Sequence, residues 1–484
     1  MAGARLTRAG EEIGAWIGAL GRQRRWLVLA PAIGVVAGLG AIAFYETLRL
    51  ATDLLLGVIG GYHIPSAAGE GRAAGSAGFS RPWAIPLVLT LGGLLAGSLV
   101  FNVAPEAEGH GTDAAIFAVH HAPGAIRVRA IIVKIVASAL TIGSGGSGGR
   151  EGPTAQISAG FGSLVTRRLA LSDADGRIAV SVGIGAGIGA IFSAPLGGAV
   201  LAADILYRED FEYSALLPGL LAAVVAYAVF GACFGYHPLF AIAGSYSPSA
   251  YQLLWFALIG VAAGLLGLLY ARAFYATIAI SRRLPVARML RPALGGLLVG
   301  LIALALPEVL GTGYGWIQKA LGGSLARAPL YVILLLPFAR ILATSLSIGS
   351  GGSGGVFGPG IVVGAFAGLA LWRLLEPIAP GVGHSPTAFV VVGMMALFGG
   401  ISRAPLAVML MVAQMTGSST LLAPAMIAVA ISALIVSATD QTIYVAQLHD
   451  RSAPRGDREG RALKGSDPAA SRDPEPRRRR LRSG

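Results

Sequence analysis

Two glycine-rich runs have residue types and a spacing that could bind an anion. They read Ile142-Gly-Ser-Gly-Gly-Ser-Gly-Gly-Arg-Glu-Gly-Pro153 and Ile348-Gly-Ser-Gly-Gly-Ser-Gly-Gly-Val-Phe-Gly-Pro359, and an apolar stretch follows each one. Proline suits the first helical turn, and the preceding glycines let the backbone aim its N–H groups at a ligand. Because a helix N-terminus carries roughly half a positive charge and unpaired donors, each run predicts a helix start that binds an anion.

Two other interpretations of the glycine runs compete with anion binding. The glycines could serve only to let helices pack closely, which is common in lipid. A nucleotide-binding loop would also be rich in glycine, but it would end in Lys-Ser or Lys-Thr. No such pair follows either run.

The glycine runs belong to a set of three blocks that each occur twice, in the same order. Pro105-Glu-Ala-Glu-Gly-His-Gly111 matches Pro307-Glu-Val-Leu-Gly-Thr-Gly313, and Ala194-Pro-Leu196 matches Ala404-Pro-Leu406. The offsets are 202, 206 and 210 residues. We therefore predict two homologous transmembrane repeats, residues 26–235 and 252–445. Transporter repeats of this kind are often inverted, with the binding site at their interface.

The composition places these repeats in a membrane. Of 484 residues, 55% are hydrophobic and 13% charged, and the mean hydropathy is +0.70. Soluble domains carry about 25% charged residues. Many apolar stretches are shorter than the roughly 17–25 residues of a single-pass helix, which predicts tilted or half-spanning helices. The stretches are 26–47, 84–104, 127–142, 154–170, 178–207, 214–235, 252–274, 291–306, 329–348, 360–375, 386–399, 404–416 and 421–438.

Both ends of the chain are basic, and the net charge is +13. We predict a cytoplasmic N-terminal segment, 1–25, with a surface helix at 10–20, and a basic disordered cytoplasmic tail, 449–484. Positive charge stays cytoplasmic beside membrane segments, so both termini are expected on the cytoplasmic side. This interpretation is preferred to nucleic-acid binding. No cysteine or histidine cluster has metal-ligand spacing, and Cys233 is the one cysteine.

Glu151 is the strongest single candidate for function. It is an acid in an otherwise apolar, donor-rich stretch, and acids inside a membrane are functional by default. Its carboxylate could itself occupy an anion site and so compete with a permeant ion. The alternative is a salt bridge with the neighbouring Arg150.

These motifs resemble those of the CLC chloride channels and chloride/proton exchangers over nearly the full length of the chain. That family has GSGIP, GREGP and GGxFxP motifs and a late tyrosine. The matching segments are Gly149-Arg-Glu-Gly-Pro153, Gly354-Gly-Val-Phe-Gly-Pro359 and Tyr444. The first motif departs from the family, because Gly109-His-Gly-Thr-Asp113 places His110 where the ion-binding serine is usual.

The resemblance implies an all-α integral membrane protein, with two inverted-topology repeats of tilted, partly half-spanning helices. It implies a homodimer with one pore in each subunit, chloride as the transported ion, contact with membrane lipid and no cofactor. It assigns gating to Glu151. The implied anion-binding residues are His110, Gly111, Arg150, Glu151, Gly152, Val356, Phe357, Gly358 and Tyr444. The His110 side chain could donate to the ion, or His110 could contribute only its backbone.

The transport mode depends on the helix after Ala194-Pro-Leu196. Exchangers of the family carry paired acids there, and those positions are Asp204 and Ile205 in this chain. Because Ile205 cannot relay a proton, a passive chloride channel is preferred. A chloride/proton antiporter remains open, with Asp204 or Glu209 as the relay, as does a fluoride exporter. Asp204 could instead cap or pair at a helix end. A membrane-embedded hydrolase is a further alternative, but the sequence lacks a ligand or nucleophile motif for it.

Overall fold

The computed structural model describes residues 22–71, 75–76, 78–242, 250–379 and 382–450. Within those ranges the chain forms sixteen α-helices, eight in each half. The first eight are α1 Arg22–Thr52, α2 Ala84–Val103, α3 Thr112–His121, α4 Val128–Gly143, α5 Glu151–Arg168, α6 Asp173–Ile191, α7 Pro195–Asp204 and α8 Tyr213–Phe234. The second eight are α9 Ala250–Arg283, α10 Arg291–Ala305, α11 Tyr314–Leu321, α12 Leu330–Gly349, α13 Phe357–Leu375, α14 Thr387–Ile401, α15 Pro405–Thr416 and α16 Leu422–Ser437.

The repeated sequence blocks occupy the same places in both halves. The blocks at 105–111 and 307–313 form a short 3₁₀ turn and then lead into α3 and α11. The glycine runs lead into α5 and α13, and the two Ala-Pro-Leu blocks open α7 and α15. The predicted all-α membrane fold is confirmed.

Eight of the described helices are long and apolar enough to cross a membrane. Others are too short: α3 has 10 residues, α7 has 10 and α11 has 8. At 1.5 Å per residue, such a helix covers about half of a hydrocarbon core of about 30 Å. The first residues of α3 and α11, Thr112 and Tyr314, are buried, so the backbone groups at these helix starts must find partners inside the protein.

Two features of the helix pattern differ from the sequence-based expectation. The apolar stretch 178–207 is divided, because the chain breaks between α6 and α7 at Ser193, which has a φ of 53°. Arg403 breaks the second half at the matching place, with a φ of 54°. In addition, α3 and α11 fall between the predicted apolar stretches. They were missed because they are short and begin after polar, glycine-containing turns.

Glycine permits the close packing that the composition suggested. A Cβ atom at Gly364 of α13 would collide with the carbonyl of Gly393 on α14, and one at Gly393 would collide with the carbonyl of Gly364. The two backbones therefore touch directly, as expected for helix packing in lipid. The predicted surface helix at 10–20, and the tail from residue 451 onward, lie outside the described residues.

Candidate anion-binding site

The two glycine runs lie side by side and bring two helix N-termini together. The Gly149 N–H donates to the Gly355 carbonyl at 2.8 Å, and the Gly355 N–H donates to the Gly149 carbonyl at 2.7 Å. Both residues lie two positions before a helix, α5 in one half and α13 in the other. The unpaired N–H groups and the positive ends of both helix dipoles therefore face a common space.

Each glycine run is also bonded to a turn of the opposite half. The Gly109 N–H donates to the Gly352 carbonyl at 3.0 Å, and the Gly311 N–H donates to the Gly145 carbonyl at 3.0 Å. Because Gly109 and Gly311 lie just before α3 and α11, four helix starts converge. The pairs of hydrogen bonds follow the repeat, so the two halves build this region together.

The Glu151 carboxylate occupies the space between the helix starts. Its side chain is buried, and its Oε1 accepts the Phe357 N–H at 2.7 Å. A Cβ at Gly149 or Gly355 would collide with this carboxylate in its present position, so the two glycines leave the space that the carboxylate occupies. Gly358 lies beside the other oxygen, Oε2, which has no hydrogen-bond partner among the described residues. The glycine cradle thus holds one anionic group, and that group belongs to the protein.

Arg150 does not form the alternative ion pair with Glu151. Its Nη1 lies 2.8 Å from Oε1 of Glu70, in the 3₁₀ turn Ala68–Glu70. The guanidinium carbon lies 5.0 Å from the centre of the Tyr314 ring, within range of a cation–π contact. A cavity of about 90 Å³ opens here; its lining includes Tyr45, Glu70, Arg150, Gly311 and Thr312. This approach to Glu151 is therefore lined by the Arg150–Glu70 ion pair.

A row of aromatic rings runs from Glu151 in another direction, towards His110. The centres of the Phe357 and Phe398 rings are 4.4 Å apart, and those of Phe398 and Tyr444 are 6.2 Å apart. The His110 ring lies 5.6 Å from the Tyr444 ring. Tyr444 and His110, which are far apart in sequence, therefore flank the same buried region as the gate candidate.

The remaining predicted residues are backbone neighbours of this region. A Cβ at Gly152 would collide with the His110 carbonyl, which places the start of α5 against the turn before α3. Gly111 has a φ of 83° and starts α3. Val356 directly precedes α13, and its carbonyl accepts the Tyr270 hydroxyl at 2.9 Å. All nine predicted anion-site residues thus lie on the four converging helix starts or beside them.

Two buried cations in this region escaped the sequence analysis. Lys134 on α4 donates to the carbonyls of Ala107 and Gly109, at 3.1 and 2.8 Å. Arg340 on α12 is the matching residue, at the offset of 206, and donates at 2.7 Å to each of three carbonyls, those of Val309, Gly311 and Thr312. Both side chains are fully buried. Each one fixes the turn before a short helix and adds positive charge near the path of an anion.

Asp204 lies apart from the glycine cradle. Its Oδ2 accepts the Ala407 N–H in the first turn of α15, at 3.3 Å. Its repeat counterpart, Gln414, accepts the Gly197 N–H in the first turn of α7, at 2.9 Å. Each half therefore caps a helix of the other, which is the helix-capping alternative for Asp204. Ile205 is buried.

Comparison with known proteins identifies relatives over most of this architecture. The model of the family described as "Voltage gated chloride channel" matches residues 92–437. A ClcB-like protein of Ralstonia nicotianae is 34% identical over 408 residues, covering 83% of this chain and 91% of that protein. The H(+)/Cl(-) exchange transporter ClcA of Vibrio parahaemolyticus is 30% identical over 361 residues, covering 72% of this chain and 76% of that protein.

The fold is also similar to that of solved structures. A slow cyanobacterial Cl-/H+ antiporter superposes with a TM-score of 0.72 at 24% identity, covering 88% of this chain and 97% of that one. At this level of identity the match shows the fold alone.

Proposed function

The chain belongs to the voltage gated chloride channel family, whose members transport anions, and we propose that it moves chloride through a pore gated by Glu151. One observation carries this proposal. Oε1 of Glu151 accepts the Phe357 N–H at 2.7 Å, where two helix starts meet. The place built for an anion holds a carboxylate, which can leave it by changing rotamer or by taking a proton.

Competition between the carboxylate and chloride is a matter of simple electrostatics. Two unit negative charges about 4 Å apart repel by roughly 4 kcal/mol at an effective dielectric constant of about 20. Chloride therefore enters the cradle only after the Glu151 carboxylate has moved or been neutralised. The helix starts have no net cationic charge of their own, so the ion is held weakly enough to be released.

The conduction path that we propose has Glu151 between two approaches. On one side lies the cavity lined by the Arg150–Glu70 ion pair. On the other side lie the Tyr444 hydroxyl and the His110 imidazole. The ion would pass from one approach to the other along the N–H groups of Val356, Phe357 and Gly358.

The transport mode has two candidates. Ile205 cannot carry a proton, which favours a passive channel. The Asp204 carboxylate accepts the Ala407 N–H and so caps a helix. Proton-coupled exchange fits at least as well, because relatives named as exchangers are similar over most of the chain and the gate itself is a carboxylate. A relay through Ile205 is not required if another titratable group lies near the path.

One flux experiment separates these modes. Proteoliposomes are loaded with chloride, and the reversal potential is measured with opposed chloride and proton gradients. Exchange predicts a potential set by both ions and uphill proton movement driven by chloride, whereas a channel predicts a potential set by chloride alone. Absence of chloride flux, where a known family member is active, would overturn the proposal. Replacing chloride with fluoride tests the fluoride alternative in the same assay.

Asp204 has its own test as a relay. Asp204→Asn keeps an oxygen that can accept the Ala407 N–H but cannot titrate. If Asp204 only caps the helix, Asp204→Asn keeps the stoichiometry of the parent protein. Loss of proton movement with chloride flux intact would identify Asp204 as the relay.

We also propose a homodimer with one pore per subunit, both termini being cytoplasmic in a bacterial inner membrane. The dimer follows from the family, and the topology follows from the basic ends of the chain. A mass measurement in detergent that finds only monomers, in a preparation that transports chloride, would contradict the dimer. Labelling of cysteines introduced near each terminus, in sealed vesicles, checks the topology.

A further inference from the structure

His110 forms a buried pair with an acid on the same helix start. Its ring nitrogen Nε2 lies 3.1 Å from Oδ2 of Asp113, and the His110 residue is only 6% exposed. The other carboxylate oxygen, Oδ1, accepts the Ala446 N–H at 3.0 Å, two residues after Tyr444. An ionised carboxylate only accepts hydrogen bonds. We therefore assign the proton of the neutral imidazole to Nε2.

This assignment leaves the other ring nitrogen, Nδ1, with a lone pair. Nδ1 is buried and has no hydrogen-bond partner among the described residues. A lone pair repels an anion. When the ring takes a second proton, Nδ1 becomes an N–H donor and the ring gains a positive charge. Protonation therefore replaces a lone pair that repels chloride with an N–H group that can donate a hydrogen bond to it.

His110 also has the right position to act on a transported ion. Its ring lies 5.6 Å from that of Tyr444 and 5.9 Å from that of Phe274, measured between ring centres. The His110 backbone carbonyl packs against Gly152, the residue after the gate candidate. A change in charge at His110 thus occurs beside the approach that leads from Tyr444 to Glu151.

The surrounding titratable and charged groups come from several elements. On its own segment, Asp113 pairs with Nε2 of His110, and Glu108 lies two residues earlier. From α4, the ammonium of Lys134 donates to the Gly109 carbonyl at 2.8 Å and opposes a second positive charge. Other neighbouring groups are the phenols of Tyr275 on α9 and Tyr444 in the C-terminal segment, and the carboxyl of Glu151.

We propose that His110 is a proton-linked chloride ligand: an anion binds beside its ring, next to Tyr444, when Nδ1 carries a proton taken from solvent. Each chloride bound there brings a proton with it, and the ring returns the proton when the ion leaves. The inference rests on the proposed chloride transport and deepens it, because it names a second titratable group on the anion path.

The test measures chloride binding to purified protein by calorimetry at several pH values, in two buffers of different ionisation enthalpy. The second buffer reports how many protons are taken up with each ion. Glu151→Ala serves as the parent, because the gate carboxylate would otherwise contribute its own pH dependence. In that parent we expect proton uptake on binding and a chloride affinity that falls as pH rises, by up to about tenfold per pH unit where one proton is taken up with each ion.

Two further substitutions in this parent isolate the histidine. His110→Asn supplies an amide donor that cannot titrate, so chloride affinity becomes independent of pH and proton uptake is lost. His121→Asn, at the exposed end of the same helix, keeps the pH dependence of the parent. Thermal unfolding checks that each variant is folded.

The outcomes separate this inference from the proposed function. Chloride binding without proton uptake in the Glu151→Ala parent, or proton uptake that survives His110→Asn, would overturn the role of His110 and leave the anion site intact. Failure of the parent to bind chloride at any pH would instead overturn the proposed anion site itself.

Discussion

The two halves of the chain share a backbone design but differ in their titratable groups. At four positions matched by the repeat, the first half has a side chain that can change protonation and the second has one that does not. The first-half residues are His110, Lys134, Glu151 and Asp204, and their partners are Thr312, Arg340, Phe357 and Gln414. Arginine counts as fixed because it stays protonated in proteins. The backbone design is shared, whereas at these four positions the groups that can change protonation lie in the first half.

This difference separates two requirements of a transporter that responds to protons. An anion site built from backbone N–H groups needs glycines and helix starts, and both halves provide them equally. A gate needs a group that can be neutralised, and one such group at a shared site is sufficient. Duplicating Glu151 at position 357 would place two carboxylates in one cradle, where they would repel each other.

The largest expected effect comes from the matched cations, and it concerns stability. Arg340→Met removes the donor to three buried carbonyls, whereas Lys134→Met removes the donor to two. Because an unsatisfied buried acceptor costs roughly 1–3 kcal/mol, we expect a loss of about 2 kcal/mol or more for Arg340→Met. We expect a smaller loss for Lys134→Met, because each of its two acceptor carbonyls has a second donor, the Ser353 hydroxyl or the Gly354 N–H. Thermal unfolding in detergent compares the two variants. Equal midpoints, both close to that of the parent, would show that neither turn depends on its cation.

The next effect concerns transport and contrasts the two helix starts. Glu151→Gln should raise chloride efflux about tenfold, or remove its response to pH at the gate, because a neutral side chain no longer holds the anion site. Phe357→Leu keeps the backbone N–H that faces the site, so efflux should change less than about twofold. Proteoliposome efflux measures both variants. An equally large effect of Phe357→Leu would mean that the aromatic ring, rather than the backbone N–H, controls chloride efflux.

The smallest effect concerns the reciprocal caps. Asp204→Ala and Gln414→Ala each remove one side-chain acceptor from a helix start of the opposite half. A lost N-terminal cap costs about 1 kcal/mol, so both variants should lose a similar, small amount of stability. The same thermal assay applies, with Asp204→Asn as the control that keeps an acceptor. If Asp204→Ala loses much more stability than Gln414→Ala, the Asp204 carboxylate stabilises the fold by more than this helix cap.

Much of this arrangement could be predicted from the sequence because repeated blocks and the spacing of glycines indicate it. The matched Gly-Pro blocks predict two helix starts, and the acid at Glu151 is conspicuous in an apolar stretch. Lys134 and Arg340 carried a comparable signal, since each is a charge within a predicted membrane segment at the repeat offset. Neither residue was predicted, because each is a single charge inside a long apolar stretch.

Other features could not be predicted because they depend on contacts between distant segments. The ion pair of Arg150 with Glu70 joins residues 80 positions apart, and no local pattern favours it over a contact with Glu151. The contact of Asp113 with Ala446 spans 333 positions. The pairing of Asp204 with α15 likewise requires the two halves to be packed together before it becomes visible.

The central claim is that the Glu151 carboxylate stands where a transported anion binds. The most direct test is a crystal structure of Glu151→Ala grown in bromide, with anomalous scattering to locate the ion. We expect bromide within hydrogen-bonding distance of the Phe357 N–H, at the position that Oε1 of Glu151 holds in the parent protein. Well-ordered bromide elsewhere along the path, with none at the Phe357 N–H, would contradict it.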